Sequence, residues 1–320
     1  MRRSPIFFKR ILYLNIFFLI HSCVTVNNAT NGTITINTNA VVMDAFKTYD
    51  VNVGCPTGQQ LIGGGYNLPG EFNPNKYYVT ANYPSSPNTW TVEVVNYSPT
   101  NTGADPAEGS IGVYAYCYTG TTNLGMSVQQ ATNQSPLTVH NVTTNYIGAP
   151  RGSVVTSGGY KLNIQHANVL TEGKILGEYP AVDQSTGLAN GWGTFTLWEG
   201  DQTESVNTYV MYSAANPSVL QANSVLAVTG SLQGQTSIDT LTTSVITGTG
   251  YFSTGGGYQF IVNTDQVNGP LQWYLPRAVF MSQALVNNTL FAGWGVQAYM
   301  YNGTGNTIPI QVYSVQVKTP

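Results

Sequence analysis

Two carboxylate groupings stand out as candidates for acid–base chemistry. They are Glu199-Gly200-Asp201 with Glu204, and Glu178 with Asp183. Glycoside hydrolysis needs two carboxyls a few ångströms apart. Glu199, Asp201 and Glu204 would equally suit a calcium ion, which takes oxygen ligands. Both groupings fall in predicted loops, where a solvated charge is the ordinary outcome. No carboxylate recurs at matched positions along the chain. His140 alternates within Leu137–Val142 and reads as a strand residue, and His166 is the other histidine beyond the N-terminal segment. No H-x-x-H, H-x-H or C-x-x-C spacing offers a zinc site, and no G-x-S-x-G elbow offers a nucleophile. The sequence therefore names no catalytic residue, no metal and no cofactor.

Aromatic side chains are the other material for a site. Trp198 and Trp273 lie outside the recurring tryptophan positions described below, and Tyr77, Tyr78, Tyr299 and Tyr301 join them as ligand-binding candidates. Aromatic faces stack on sugar rings without needing charge. Core packing, or contact between repeats, is the competing role for each. The composition suits a neutral ligand, because only 8% of the 320 residues are charged. A formal net charge of -3 gives nucleic-acid phosphates nothing to seek. At 42% hydrophobic and 12% aromatic, the chain has material for a core and is not a charged disordered protein. Seven N-x-S/T sequons, at Asn28, Asn31, Asn96, Asn133, Asn141, Asn287 and Asn302, are about what this Asn-, Ser- and Thr-rich chain gives by chance.

Residues 1–23 read as an export signal. Arg2, Arg3, Lys9 and Arg10 precede an apolar run from Ile11 to Ile20 that is broken only by Asn15. That run is shorter than the roughly 20 residues needed to span a bilayer, and it fits a signal-peptide core. Ile20-His21-Ser22-Cys23 resembles a bacterial lipobox, with His21 departing from the usual middle position. Both a lipidated Cys23 and ordinary cleavage nearby are consistent with it. Cleavage takes four of the 11 basic residues and none of the 14 acidic ones, leaving a formal net charge of -7. The expected location is secreted or anchored at the outer surface, with membrane contact only through a lipid on Cys23.

The elements that must position any site occur three times. Gly54–Tyr66, carrying Gly63, Gly64, Gly65 and Tyr66, is matched by Gly148–Tyr160, carrying Gly158, Gly159 and Tyr160. Thr247–Tyr258, carrying Gly255, Gly256, Gly257 and Tyr258, is the third copy. Tyr83-Pro84, Tyr179-Pro180 and, more loosely, Leu275-Pro276 follow. Trp90, Trp192 and Trp294 then open alternating runs, and a tyrosine-bearing strand closes each unit. Strict period-2 alternation, as in Trp90-Thr91-Val92-Glu93-Val94, marks half-buried antiparallel strands. The period is too long for propeller blades or trefoil units. The fold class expected is all-β, with three tandem antiparallel β-sandwich-like (or small barrel) repeats of about 85–100 residues. A polar segment over 24–40 precedes repeats at 41–120, 134–215 and 224–320, tandem units rather than one closed toroid. Glycines inside strands predict a flat ring lying on them. Each repeat's tryptophan is therefore expected over its own glycine triplet.

Cys55 and Cys117 flank the first repeat and are absent together from the other two. Joint presence and joint absence predict a disulfide, which an exported compartment permits. A catalytic or metal-binding thiol is the rival. The pattern Cys55-Pro56-x-Gly58, Gly63-Gly64-Gly65, Trp90-x-Val92 to Asn96 and Tyr114-Ala115-x-Cys117 resembles a recurring module of exported bacterial proteins. The resemblance covers about residues 41–118 and implies a secreted or surface β module, without supplying catalytic residues. The function expected is non-enzymatic: adhesion, or binding of a surface ligand such as a glycan. A self-assembling subunit of a surface layer, appendage or virion is the alternative, and a glycosidase the remote one.

Overall fold

The computed structural model describes residues 26–27, 32–44, 47–68, 77–96, 110–134, 141–163, 173–198, 204–214, 220–233, 239–243, 251–261, 273–286, 289–301 and 307–318. Within them the chain is all-β and antiparallel. A short β1 (Val26–Asn27) precedes repeat 1, which contains β2 (Gly32–Val42), β3 (Lys47–Gly54), β4 (Gln60–Asn67), β5 (Tyr77–Ser86), β6 (Thr89–Asn96) and β7 (Ser110–Gly120). Repeat 2 contains β8 (Met126–Gln134), β9 (Asn141–Gly148), β10 (Val154–Asn163), β11 (Gly173–Val182), β12 (Ala189–Trp198) and β13 (Ser205–Ser213). After β14 (Gln221–Ala222), repeat 3 contains β15 (Leu226–Gln233), β16 (Asp239–Thr243), β17 (Phe252–Phe260), β18 (Trp273–Val286), β19 (Thr289–Tyr301) and β20 (Thr307–Lys318).

Each repeat is a sandwich of two three-stranded halves, and neither half closes into a barrel. In repeat 1 the halves are β2-β7-β4 and β3-β6-β5; repeats 2 and 3 copy this order as β8-β13-β10 with β9-β12-β11, and β15-β20-β17 with β16-β19-β18. The first strand of repeat 1 lies in the polar segment set apart by the sequence: Gly32–Val42 pairs with β7 along its whole length. Its asparagines, poor strand formers, are used at the sandwich edge. Asn37 Nδ2 donates to Gly54 O at 2.5 Å, and Asn39 Nδ2 to Asn52 O at 3.0 Å. Met126–Gln134, which falls mostly between the repeat bounds expected from the sequence, is likewise the first strand of repeat 2 and pairs with β13.

The repeats are not merely strung in tandem. Tyr160 and Lys161 of β10 pair with Asn82 and Ala81 of β5, joining repeat 2 to repeat 1. Tyr258 and Gln259 of β17 pair with Glu178 and Gly177 of β11, joining repeat 3 to repeat 2. Tyr66 and Asn67 of β4 pair with Val279 and Ala278 of β18, joining repeat 1 to repeat 3. The expectation of tandem units without closure thus holds for the fold of each unit and fails for their arrangement. Three sheets, each shared by two repeats, surround a common pseudo-threefold axis. A large apolar core draws on all three repeats, from Ile34 to Val317, and a smaller one gathers Val155, Trp192, Val210, Tyr212 and Val315.

The glycine triplets explain how the ring packs. A Cβ on Gly64, Gly158 or Gly256 would overlap the indole of Trp90, Trp192 or Trp294 respectively. All three indoles are at most 1% exposed, so each tryptophan does lie on its own triplet. The first triplet position faces the neighbouring repeat: Gly255 meets Thr156 O, and Gly63 meets Thr254 O. The register corrects one landmark. Met281 opposes Trp294 as Pro84 opposes Trp90 and Pro180 opposes Trp192, so Leu275-Pro276 is not the third copy of Tyr-Pro. Phe280-Met281 is, in a strand 14 residues long against 10 for β5 and β11. At the turns before the strand glycines of repeats 1 and 2, Gly58 (φ 86°) and Gly152 (φ 84°) take the left-handed conformation. Gln59 N and Ser153 N close these turns on Pro56 O and Pro150 O, as a type II turn requires.

Cys55 and Cys117 form a disulfide, with Cα atoms 5.6 Å apart. It ties the turn entering β4 to β7, the strand that lies between β2 and β4.

Candidate functional site

Three of the six aromatics singled out from the sequence are buried. Trp198, Tyr77 and Tyr78 are 1%, 4% and 2% exposed and belong to the core. Trp198 lies against Gly173 and donates from Nε1 to Thr143 Oγ1 at 2.9 Å. Tyr78 reaches from repeat 1 to donate to the carbonyl of Gly173 in repeat 2. They fall outside the recurring tryptophan positions because they seal strand ends and junctions, and a ligand has no access to them. For Trp273, Tyr299 and Tyr301 only the backbone is described; Trp273 pairs with Tyr301 and Leu275 with Tyr299. Cys23, His140, His166, Glu199 and Asp201 lie outside the described residues.

The carboxylate groupings separate in the same way. Glu178 is not in a loop: it sits in β11 and is 1% exposed. Asp183 lies in the exposed turn after that strand, where the Ser185 hydroxyl and backbone N–H hold its carboxyl below the usual range. Glu204 is buried. Among the described residues no cluster of three His, Cys, Asp or Glu side chains suits a metal ion. Asn96 is also buried, and its Nδ2 donates to the carbonyls of Met43 and Asp44.

What the fold does bring together lies on the outer faces of the shared sheets. Across the sheet joining repeats 1 and 2, one row reads Asp50, Glu93, Ala81, Lys161, Asn207, Thr132 on β3, β6, β5, β10, β13 and β8. Lys161 Nζ meets Glu93 Oε2 at 3.0 Å, and Thr80 Oγ1 donates to Glu93 Oε1 at 2.6 Å. Asp50 faces Glu93 directly, and like charges so placed repel. Burial and then Glu93 raise the Asp50 carboxyl above its ordinary value, while Lys161 opposes the shift. Burial works against the Lys161 charge, yet its bond to Glu93 leaves its pKa above the usual lysine value.

The next row holds the aromatics. Tyr83 of β5 and Tyr209 of β13 stand on either side of Gly159, with ring centroids 4.4 Å apart. The same row in the sheet joining repeats 2 and 3 reads Tyr146, Gly193, Tyr179, Gly257, Tyr313. Tyr179 and Tyr313 stack at 5.8 Å, and a Cβ on Gly193 would lie 3.0 Å from the Tyr179 ring. Tyr146 is 49% exposed and leans over Gly148 and Gly191. Tyr313 Oη donates to Gln311 Oε1 at 2.8 Å and lies 3.2 Å from Gln259 Oε1. Half-burial raises the Tyr179 phenol, and raises that of Tyr313 to about 12, so both stay neutral donors at physiological pH.

In this second sheet Thr144, Phe195 and Gln259 occupy the positions of Asp50, Glu93 and Lys161. This row is therefore charged in the sheet joining repeats 1 and 2 and neutral at the same positions in the sheet joining repeats 2 and 3. Sequence reasoning used Tyr83, Tyr179, Tyr209 and Tyr313 only as repeat landmarks. Their recurrence was the available signal, but the rows form across strands far apart in the chain.

The family model YjdH matches residues 20–107. The matched stretch contains β1 to β6, with Cys55, the first glycine triplet and Trp90, and stops before β7. It covers one repeat of the three in part. No curated protein matches the chain.

Proposed function

We propose that this is an exported, non-enzymatic β-repeat protein that binds glycans on the outer face of the sheet joining repeats 2 and 3, in adhesion or display at a surface. The supporting observation is the row of Tyr146, Tyr179 and Tyr313 separated by glycines. Flat rings standing over glycines leave a shallow, rigid platform of the kind that stacks on sugars. The Gln259 and Gln311 amides in the adjacent row supply hydrogen bonds to hydroxyl groups. Export rests on the character of residues 1–23, with a lipid on Cys23 or plain secretion as its two forms.

A glycan array probed with the purified chain is the test. Tyr179→Ala is expected to weaken a bound glycan about fivefold, equivalent to about 1 kcal/mol for one lost stacking contact. Tyr83→Ala on the charged face is expected to leave that glycan's affinity unchanged. Absence of binding to every glycan would defeat the reading.

One feature favours self-assembly as the second reading. β8 is a sheet edge of nine residues without Asp, Glu, Lys, Arg or Pro, the devices that usually keep an edge from pairing with another chain. Light scattering over a concentration series separates the two: a monomer at all concentrations removes the assembly reading.

A further inference from the structure

Asn82, Glu178 and Val279 occupy the same place in the three repeats. Each pairs with the tyrosine that follows the strand glycines of another repeat, respectively Tyr160, Tyr258 and Tyr66, across a junction of the ring. Only the second repeat puts an ionisable group there. Glu178 is held by all three repeats. It stands in β11 of repeat 2, its backbone pairs with Tyr258 of repeat 3, and its Oε1 accepts from Asn82 Nδ2 of repeat 1 at 2.8 Å. Asn82 is fixed in turn, because its Oδ1 accepts from Trp90 Nε1 at 2.8 Å. The second carboxyl oxygen, Oε2, is buried without a hydrogen-bond partner among the described residues. The buried groups Tyr258 Oη and Trp192 Nε1 also have no hydrogen-bond partner among the described residues.

The titratable groups around it are phenols. Tyr66 of β4, Tyr78 of β5, Tyr160 of β10 and Tyr258 of β17 all lie near enough to interact electrostatically with this carboxyl or with one another. Among the described residues no cation acts on it. Lys174 lies on the same strand, and burial lowers its pKa to about 7. A carboxylate here would have lost its water, gained one neutral donor in Asn82 and met no counter-charge from the described residues. Such a group stays protonated or forces its surroundings open.

We infer that Glu178 is a protonation latch: neutral, it closes repeat 2 onto repeats 1 and 3, and ionised, it opens the ring at the β11–β17 junction. Burial raises this carboxyl well above the ordinary value of 4.5, against the bond from Asn82. In the unfolded chain it ionises near that ordinary value. Folding therefore takes up a proton above it, and stability falls as pH rises until the folded-state pKa is passed. Each pH unit in that window lowers the folding constant about tenfold. Lys174 acts in the opposite sense between about 7 and its ordinary 10.5, where the unfolded chain holds the extra proton. That contribution is common to the variants below and cancels in their difference.

The test is urea unfolding and amide hydrogen exchange of the purified chain between pH 5 and 9, for the parent and for Glu178→Gln. The parent is expected to lose stability relative to the variant by about tenfold in the folding constant per pH unit. After correction for intrinsic base catalysis, its amides at Gly177 and Gln259 should lose protection ahead of the remaining strands. Where Glu178→Gln does not fold, Glu178→Asn and Glu178→Val replace it, since asparagine and valine already occupy this place in repeats 1 and 3. Parallel pH profiles for parent and variant overturn the latch. Loss of protection spread evenly over all three repeats overturns the opening at this junction.

Discussion

Gly158→Ala is expected to cost at least about 3 kcal/mol, the upper part of the range for overpacking a tight core. The added methyl group would overlap the Trp192 ring on one side and the Tyr209 carbonyl on the other. Neither can retreat. Trp192 is fully buried, and the Tyr209 backbone is held in the ladder between β10 and β13. Trp192 packs in a smaller apolar cluster with Val155, Val210 and Tyr212 of repeat 2 and Val315 of repeat 3, so the loss should appear as a lower urea midpoint reaching beyond repeat 2. Gly64→Ala and Gly256→Ala are expected to behave alike, since Trp90 and Trp294 occupy the same place. Gly152→Ala provides the contrast. Nothing lies within 4 Å of its added Cβ, so only the left-handed backbone is strained, at about 1 kcal/mol. A Gly158→Ala protein within about 0.5 kcal/mol of the parent would show that the indole does not rest on the triplet.

Breaking the Cys55–Cys117 bond is the second large effect. It closes a loop with a sequence separation of 62 residues, for which the chain-entropy argument gives about 4 kcal/mol as an upper figure. Both cysteines are buried, Cys117 completely, so reduction should be slow in the folded protein and fast once β7 loosens. The double variant Cys55→Ala/Cys117→Ala is expected to lower the urea midpoint about as much as reduction does. The consequence should reach beyond repeat 1. β7 holds β4 in its sheet, and β4 carries the ladder to β18 that closes the ring. An unchanged midpoint in the double variant would assign the bond no role in stability. Mass spectrometry finding two free thiols in the purified protein would remove the bond itself.

The sequence was informative where the three copies could be compared with one another. A tryptophan and a glycine triplet recurring together pointed to contact, because a strand glycine needs something flat to fill the place of its side chain. The two cysteines, present and absent together, pointed to each other by the same logic. Comparison misled where one copy had drifted. Leu275-Pro276 imitates Tyr-Pro, and only the register of β18 against Trp294 shows that Phe280-Met281 holds that place. Trp198, Tyr77 and Tyr78 looked available because they broke the repeat, yet junctions between repeats also need large side chains.

The all-β class and the tryptophan-on-glycine packing follow from local alternation and from residues that recur within each repeat, so the sequence by itself determined them; the pairing of strands into sandwich halves it did not. Closure of the ring, the buried place of Glu178 and the tyrosine rows were decided only by the tertiary structure. The described ladders between repeats have two residue pairs each, too few to leave a periodic trace in the chain. Glu178 and Asn82 are 96 residues apart in sequence, and they meet because β5 and β11 both reach the axis. A row across a sheet takes one residue from each strand, so its chemistry becomes visible only once strand order and register are known.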